Sequence, residues 1–116
     1  MAGILFVIVS GPNEFEKARQ GLRAARNLKR GRLVEDVRVF FVGPGVLLLD
    51  RENENYGLVE EFLQAYKQYG VRASACAGNL RVYGLEEKID KNLVIADDTA
   101  AVLAEAVAEG LTIATF

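Results

Sequence analysis

Histidine and tryptophan are both absent from the 116-residue sequence, and cysteine occurs once. Without histidine, neither a Cys-His nor a Ser-His pair can activate a nucleophile. A single thiol with no imidazole leaves no soft-ligand zinc site within one chain, so no metal is expected. One cysteine cannot close an internal disulfide, and nothing here points to secretion. Nucleotide signatures fail as well. Ser10-Gly-Pro-Asn13 follows the first apolar run but lacks the lysine and spacing of a P-loop. Gly43-Pro-Gly45 runs into Leu47 and Leu48, where a dinucleotide loop needs further small residues. No Gly-x-Ser-x-Gly elbow occurs, and no cofactor is expected.

Long hydrophobic runs are missing too. Residues 3–9 are apolar but far too short to span a bilayer, and they lack the charged start of a signal peptide. They read as a first core strand, and the chain as cytoplasmic with no membrane partner. The net charge of −2 gives no global attraction to nucleic acid. What remains is an ordinary globular mix, 51% hydrophobic and 26% charged. Residues 1–116 read as a single domain, able to bury about two thirds of its unfolded surface without disulfides or metals.

Strand and helix patterns alternate along the chain. After the run at 3–9, Asn13 and Glu16 suggest a variant capping box for a helix reaching about Lys29. Phe15, Ala18, Leu22 and Ala25 form its apolar face, and Gly31 marks its end. Residues 37–42 read as a second strand and 56–69 as a second helix, with Val59, Phe62, Leu63 and Tyr66 inward and Gly70 as cap. Residues 71–76 form a third strand, 93–96 a fourth and 111–116 a fifth. Asp97 and Asp98 precede a final helix closed by Gly110, where capping explains the acidic pair better than an acid/base dyad. This alternation predicts a three-layer α/β/α sandwich with a mainly parallel five-stranded sheet. Strand order is not encoded in periodicity.

Charge is unevenly spread. Between Asn13 and Arg32 seven basic residues face two glutamates, a local net of +5 that leaves −7 elsewhere. Arg19, Arg23, Arg26 and Arg30 share one helical face. They form either a docking stripe for an acidic protein or a solvated face. With no aromatic interleaved among them, nucleic acid is the weaker partner.

Cys76 is the one centre left for chemistry. It ends a strand of small apolar residues, at the edge where open α/β sheets place their ligand crevices. Ala77, Gly78 and Asn79 leave the backbone room to turn, and a helical turn over Leu80–Tyr83 would aim its positive end at the sulfur, which favours thiolate. The alternative is a small hydrophobe filling the core.

Four features together resemble the DsrE/DsrF/TusD-like proteins over essentially the whole chain. They are the apolar first strand with its turn and helix, and the segment Phe40-Phe-Val-Gly-Pro-Gly-Val46. The others are Gly70-Val-x-Ala-x-Ala-Cys76 with Gly84 eight residues on, and the ending Glu109-Gly-Leu-Thr-Ile-Ala-Thr-Phe116. The residues after the cysteine, Ala77-Gly-Asn79 and Arg81-Val-Tyr83, depart from the pattern of relay subunits. The resemblance implies a sulfur-relay protein, sulfurtransferase-like, in which Cys76 carries sulfane sulfur as a persulfide between donor and acceptor proteins. It also implies a homo-oligomer, trimer or hexamer. The rival class is a non-catalytic oligomeric binding module of the same fold. The apolar run Val46-Leu-Leu-Leu49 and Phe116 look like surplus apolar surface, and residues 46–49 are expected to be at least partly in contact with another subunit.

Overall fold

The computed structural model describes residues 3–116. The elements, in order, are β1 (Gly3–Ile8), α1 (Phe15–Arg30), β2 (Asp36–Phe41), α2 (Tyr56–Tyr69), β3 (Arg72–Cys76), α3 (Ala77–Val82), β4 (Ile95–Asp97), α4 (Thr99–Ala108) and β5 (Thr112–Thr115). The sheet order is β4-β3-β2-β1-β5 and every pairing is parallel, so the expected α/β/α sandwich folds with a wholly parallel sheet. From β1 to β4 the chain steps in one direction. Right-handed crossovers therefore put α1, α2 and α3 on one face. The step from β4 back to β5 lays α4 on the other.

The two faces are unequally covered. Phe6, Ile8, Val39, Phe41 and Ala75 point into a large core closed by Leu22 of α1, Leu63 of α2 and Leu80 of α3. Tyr66 latches the first two helices together, its buried phenol donating to the Leu22 carbonyl at 2.6 Å. Burial pushes that phenol's pKa well up, so it remains a neutral donor. Beneath α4 the apolar cluster is smaller: Leu5, Val7, Phe40 and Ala106, flanked by Val102, Leu103 and Leu111.

Polar bonds make up the difference there. Arg38, buried on the α4 side of β2, reaches Asp36 at 2.7 Å, Glu109 at 2.9 Å and Glu105 at 3.3 Å. Arg72 on β3 shares Glu105 at 3.0 Å. The acidic partners stay partly exposed, which limits the desolvation cost of the buried guanidinium. Hydrogen bonds from Arg38 hold the Asp36 and Glu109 carboxyls below the ordinary range, and those carboxylates hold the guanidinium firmly charged.

Several local expectations are corrected. Asn13 caps nothing: Pro12–Glu14 is a single 3-10 turn, and α1 begins at Phe15 with no side-chain cap. The fourth strand begins at Ile95, because Leu93 and Val94 turn inward to pack against the larger core. The helix after Cys76 begins at once, at Ala77. Val46, Leu48 and Leu49 lie in a 3-10 segment, Gly43–Leu49, with Leu48 0% exposed inside the chain's own core. Phe116 stacks on Phe6 at 5.7 Å between ring centroids. Neither stretch is the surplus apolar surface expected from the sequence.

Two measurements follow. Leu48→Ala is expected to lower unfolding free energy by about 2–5 kcal/mol, as a buried truncation does, while leaving the native mass in light scattering unchanged. Arg38→Met is expected to cost about 1–3 kcal/mol at neutral pH through lost charge-assisted hydrogen bonds, measured by urea unfolding. Because the folded carboxyls of Asp36 and Glu109 are depressed, their contribution is complete above the ordinary carboxyl range. It is lost as pH falls through the folded values, below about pH 4. The Met variant should lose that part of the acid limb, and an unchanged limb would rule out the clamp as its source.

Candidate functional site

Sequence places Cys76 at the end of β3, and the sheet order determines what surrounds it. β3 leads into α3 on one face of the sheet, while its neighbour β4 leads into α4 on the other. Adjacent strands whose connections leave to opposite faces open a crevice beyond their carboxyl ends. Cys76 and Asp97, paired in register across β3 and β4, stand at that crevice. Both point to the α4 face, as Ser74 and Ile95 do two residues earlier.

The sulfur is half-buried, with Cys76 packed at the margin of the smaller apolar cluster. It occupies the N-cap position of α3 and accepts the Asn79 backbone N–H at 3.5 Å. The same asparagine anchors the neighbouring loop, its side-chain oxygen accepting the Gly43 N–H at 2.7 Å. Asn79 therefore ties the end of β2 to the turn that carries the thiol. The cue legible in the sequence was its place three residues after Cys76, where an N-cap side chain meets its N–H donor. Gly78 keeps the flank of the sulfur open, since a Cβ there would stand 3.9 Å from it.

The glycines that imitate a nucleotide loop have another role. A Cβ on Gly45 would lie 2.0 Å from the Ile8 carbonyl oxygen, and one on Gly11 would lie 2.6 Å from that of Pro44. These are contacts of backbone on backbone that only glycine permits, and they lock the β1–α1 turn against the 3-10 segment. Gly43 adds a left-handed turn at φ 58°.

Charge at the crevice is acidic. Asp97 accepts the Asp98 N–H at 2.8 Å, and Asp98 caps α4 by accepting the Ala101 N–H at 3.0 Å, the capping role expected of the pair. Among the described residues no group of three or more His, Cys, Asp or Glu side chains is placed to hold a metal. A neighbouring cleft of about 320 Å³ takes Ala77, Leu80, Ile89 and Val94 but not Cys76. That cleft sits at the β4 edge, lined by Leu80, Ile89 and Val94 of the larger core and by Ile95. The four arginines of the α1 face stand elsewhere, on the outer surface of the larger layer. Arg19, Arg23 and Arg26 border a groove with Leu58 and Phe62 of α2. No helix is long and apolar enough to cross a membrane among the described residues.

The fold is shared with solved structures. The chain is similar to the ychN protein from E. coli, at 19% identity and TM-score 0.84, with 100% of both chains covered. It is also similar to BT1422 from Bacteroides thetaiotaomicron, a conserved protein of unknown function, at 18% identity and TM-score 0.77, covering 97% of this chain and 94% of that one. A third likeness is to MTH1491 from Methanobacterium thermoautotrophicum, also of unknown function, at 20% identity and TM-score 0.71, covering 99% and 98%. No functionally curated protein matches the sequence. At these identities the structures speak for the fold alone. A family model, however, matches residues 2–116, essentially the whole chain, and by that match the chain belongs to the DsrE/DsrF-like family.

Proposed function

We propose that the protein is a sulfur carrier in which Cys76 holds sulfane sulfur as a persulfide and passes it to an acceptor thiol. Family membership points to sulfur relay at the level of the family. The observation that supports this residue as the carrier is its setting: a half-exposed thiol at the β3–β4 crevice, with the Asn79 N–H directed at the sulfur. In the loading step the Cys76 thiolate attacks the terminal sulfur of a donor persulfide. A Cys76–sulfur bond forms, the donor's sulfur–sulfur bond breaks, and the donor leaves as a thiolate. An acceptor thiolate then attacks the terminal sulfur of the protonated persulfide, Cys76–S–SH, so that the outer sulfur leaves with its proton on the acceptor and the Cys76 thiolate is released. No net oxidation occurs across the two steps. With one cysteine in the chain, discharge requires a thiol on another molecule.

The partial exposure of Cys76, outside the neighbouring cleft, favours protein-bound donors and acceptors over a small molecule enclosed in that cleft. It also weighs against the reading of Cys76 as core filler in a non-catalytic module. Among the described residues the sulfur accepts only the Asn79 N–H and no cation is bonded to it, so a neighbouring subunit is a natural source of positive charge for the persulfide. Cytoplasmic placement, where thiols stay reduced, belongs to the same proposal.

Assembly into a trimer or hexamer is part of it, with the contact on α4 rather than on residues 46–49. α4 reads Thr99-Ala-Ala-Val-Leu-Ala-Glu-Ala-Val-Ala108, almost without charge, yet Ala106 is its one fully buried residue. Val107 is 69% exposed, and Ile95 on β4 is 55% exposed on the same face of the sheet. Helices apolar all round are normally covered, and a second copy of the chain would cover this one.

Intact-mass analysis after incubation with a protein persulfide donor should show a gain of one sulfur, removed by excess thiol and missing in Cys76→Ser. A folded protein that gains nothing, and whose thiol reacts with an alkylating reagent only after unfolding, would return Cys76 to the core-filler reading. Light scattering at micromolar concentration should give a multiple of the chain mass, reduced by Val107→Glu. A monomer in the unmodified protein, or an assembly indifferent to that substitution, ends the α4 interface.

A further inference from the structure

The basic residues of α1 divide into two groups. Near the start of the helix, Lys17 meets Glu14 at 2.8 Å and Arg19 meets Glu16 at 3.0 Å. Beyond that point no carboxylate is engaged. Among the described residues Arg23, Arg26, Lys29, Arg30 and Arg32 have no acidic side chain within salt-bridge distance. Arginines elsewhere are mostly paired: Arg38, Arg72 and Arg81 each reach a carboxylate. Glu61 and Glu35 border the adjoining grooves without forming an ion pair there.

Neutral acceptors hold these cations in place. Arg23 donates to the Gln20 amide oxygen at 2.7 Å, and Lys29 donates to the Glu35 backbone carbonyl. The side-chain oxygen of Asn27 accepts from Arg26 at 3.2 Å and also from Arg30 at 3.1 Å, which gathers two like-charged guanidiniums on one atom. Arg26 lies over the Phe62 ring, 5.1 Å from its centroid. Arg32 adopts the left-handed conformation at φ 57°, closing α1 where glycine would fit without strain, while Gly31 just before it is ordinary at φ −80°.

Helix polarity accounts for Lys29 and Arg30 in the last turn, but not for Arg23 and Arg26 further back. Like charges three and four residues apart destabilise a helix. A face that orients them with neutral acceptors keeps their charge for something outside the chain. Exposed aliphatic side chains accompany them: Leu58, 44% exposed, borders the Arg23–Arg26 groove, and Leu33, 75% exposed, borders the groove beside Arg30 and Arg32. The ring of Phe62 is already covered by Arg26, so it offers no stacking platform for a base.

We propose that the surface of Arg23, Arg26, Lys29, Arg30 and Arg32 docks a segment of another protein in which carboxylates alternate with aliphatic side chains. The carboxylates meet the guanidiniums, and the aliphatic groups lie on Leu33 and Leu58. The surface covers the outer side of α1, on the sheet face opposite the one to which Cys76 points, so docking there leaves the thiol free.

The test is fluorescence anisotropy on the full chain with three labelled probes of matched length: a synthetic peptide alternating Glu and Leu, one alternating Glu and Ser, and a single-stranded RNA oligonucleotide. The Glu-Leu peptide should bind with the highest affinity, weakening as salt rises. Combined Arg26→Glu and Arg30→Glu should lower that affinity about tenfold or more. Asn27→Asp should lower it too while raising the thermal midpoint, since the new carboxylate pairs the same two arginines internally. Sulfur loading at Cys76 should be unaffected by these changes, which separates this surface from the carrier function. Equal binding of the Glu-Ser peptide, tighter binding of RNA, or a Glu-Leu affinity unchanged in the double variant would each overturn the proposal.

Discussion

Handedness of the crossover connections is the constraint from which the rest of this structure follows. A parallel strand pair joined by a right-handed crossover leaves no choice about which face the intervening helix covers. Three consecutive steps in one direction give one face α1, α2 and α3, and the single return step from β4 to β5 gives the other face α4 alone. The same reversal puts the crevice between β3 and β4, the strands that end in Cys76 and Asp97. The position of the thiol and the unequal layers therefore have one cause.

The thin layer explains why a charged cluster occupies the middle of a sheet face. α4 buries little apolar surface, so Arg38 and Arg72 hold it through Glu105 and Glu109. A surface ion pair is worth little, but several charges sharing one buried guanidinium with two-point contacts form a stronger tether. α4 begins at the crevice, where Asp98 caps it, so the tether also determines how firmly one wall of the thiol's surroundings is held. The same helix, which borders the crevice, also carries an exposed apolar outer face that includes Val107.

The opposite layer combines a well-filled core with a charged exterior. Its inner side is latched by Tyr66 on the Leu22 carbonyl, and its outer side carries cations turned toward neutral acceptors. The excess negative charge elsewhere includes Asp97 and Asp98 at the crevice. The cation-rich surface and the thiol thus lie on opposite faces of the sheet.

Much of this was legible in the residues. The apolar runs of β1 and β2, the helical spacing of Val59, Phe62, Leu63 and Tyr66, and Gly70 in its left-handed cap all depend on local periodicity and local backbone sterics, which a sequence states directly. Cys76 at a strand end, with its N–H donor three residues on, is likewise local. What sequence alone could not decide depended on distant partners. Arg38 looks like the polar half of an alternating strand, and it is buried only because acids 67 and 71 residues later come down over it. Leu48 looks like surplus apolar surface until the sheet and α2 close around it, and Val94 looks like strand until it turns inward to pack. The pairing of Cys76 with Asp97 required the strand order. Periodicity records which side of an element is apolar, whereas only tertiary packing determines what comes to lie against it.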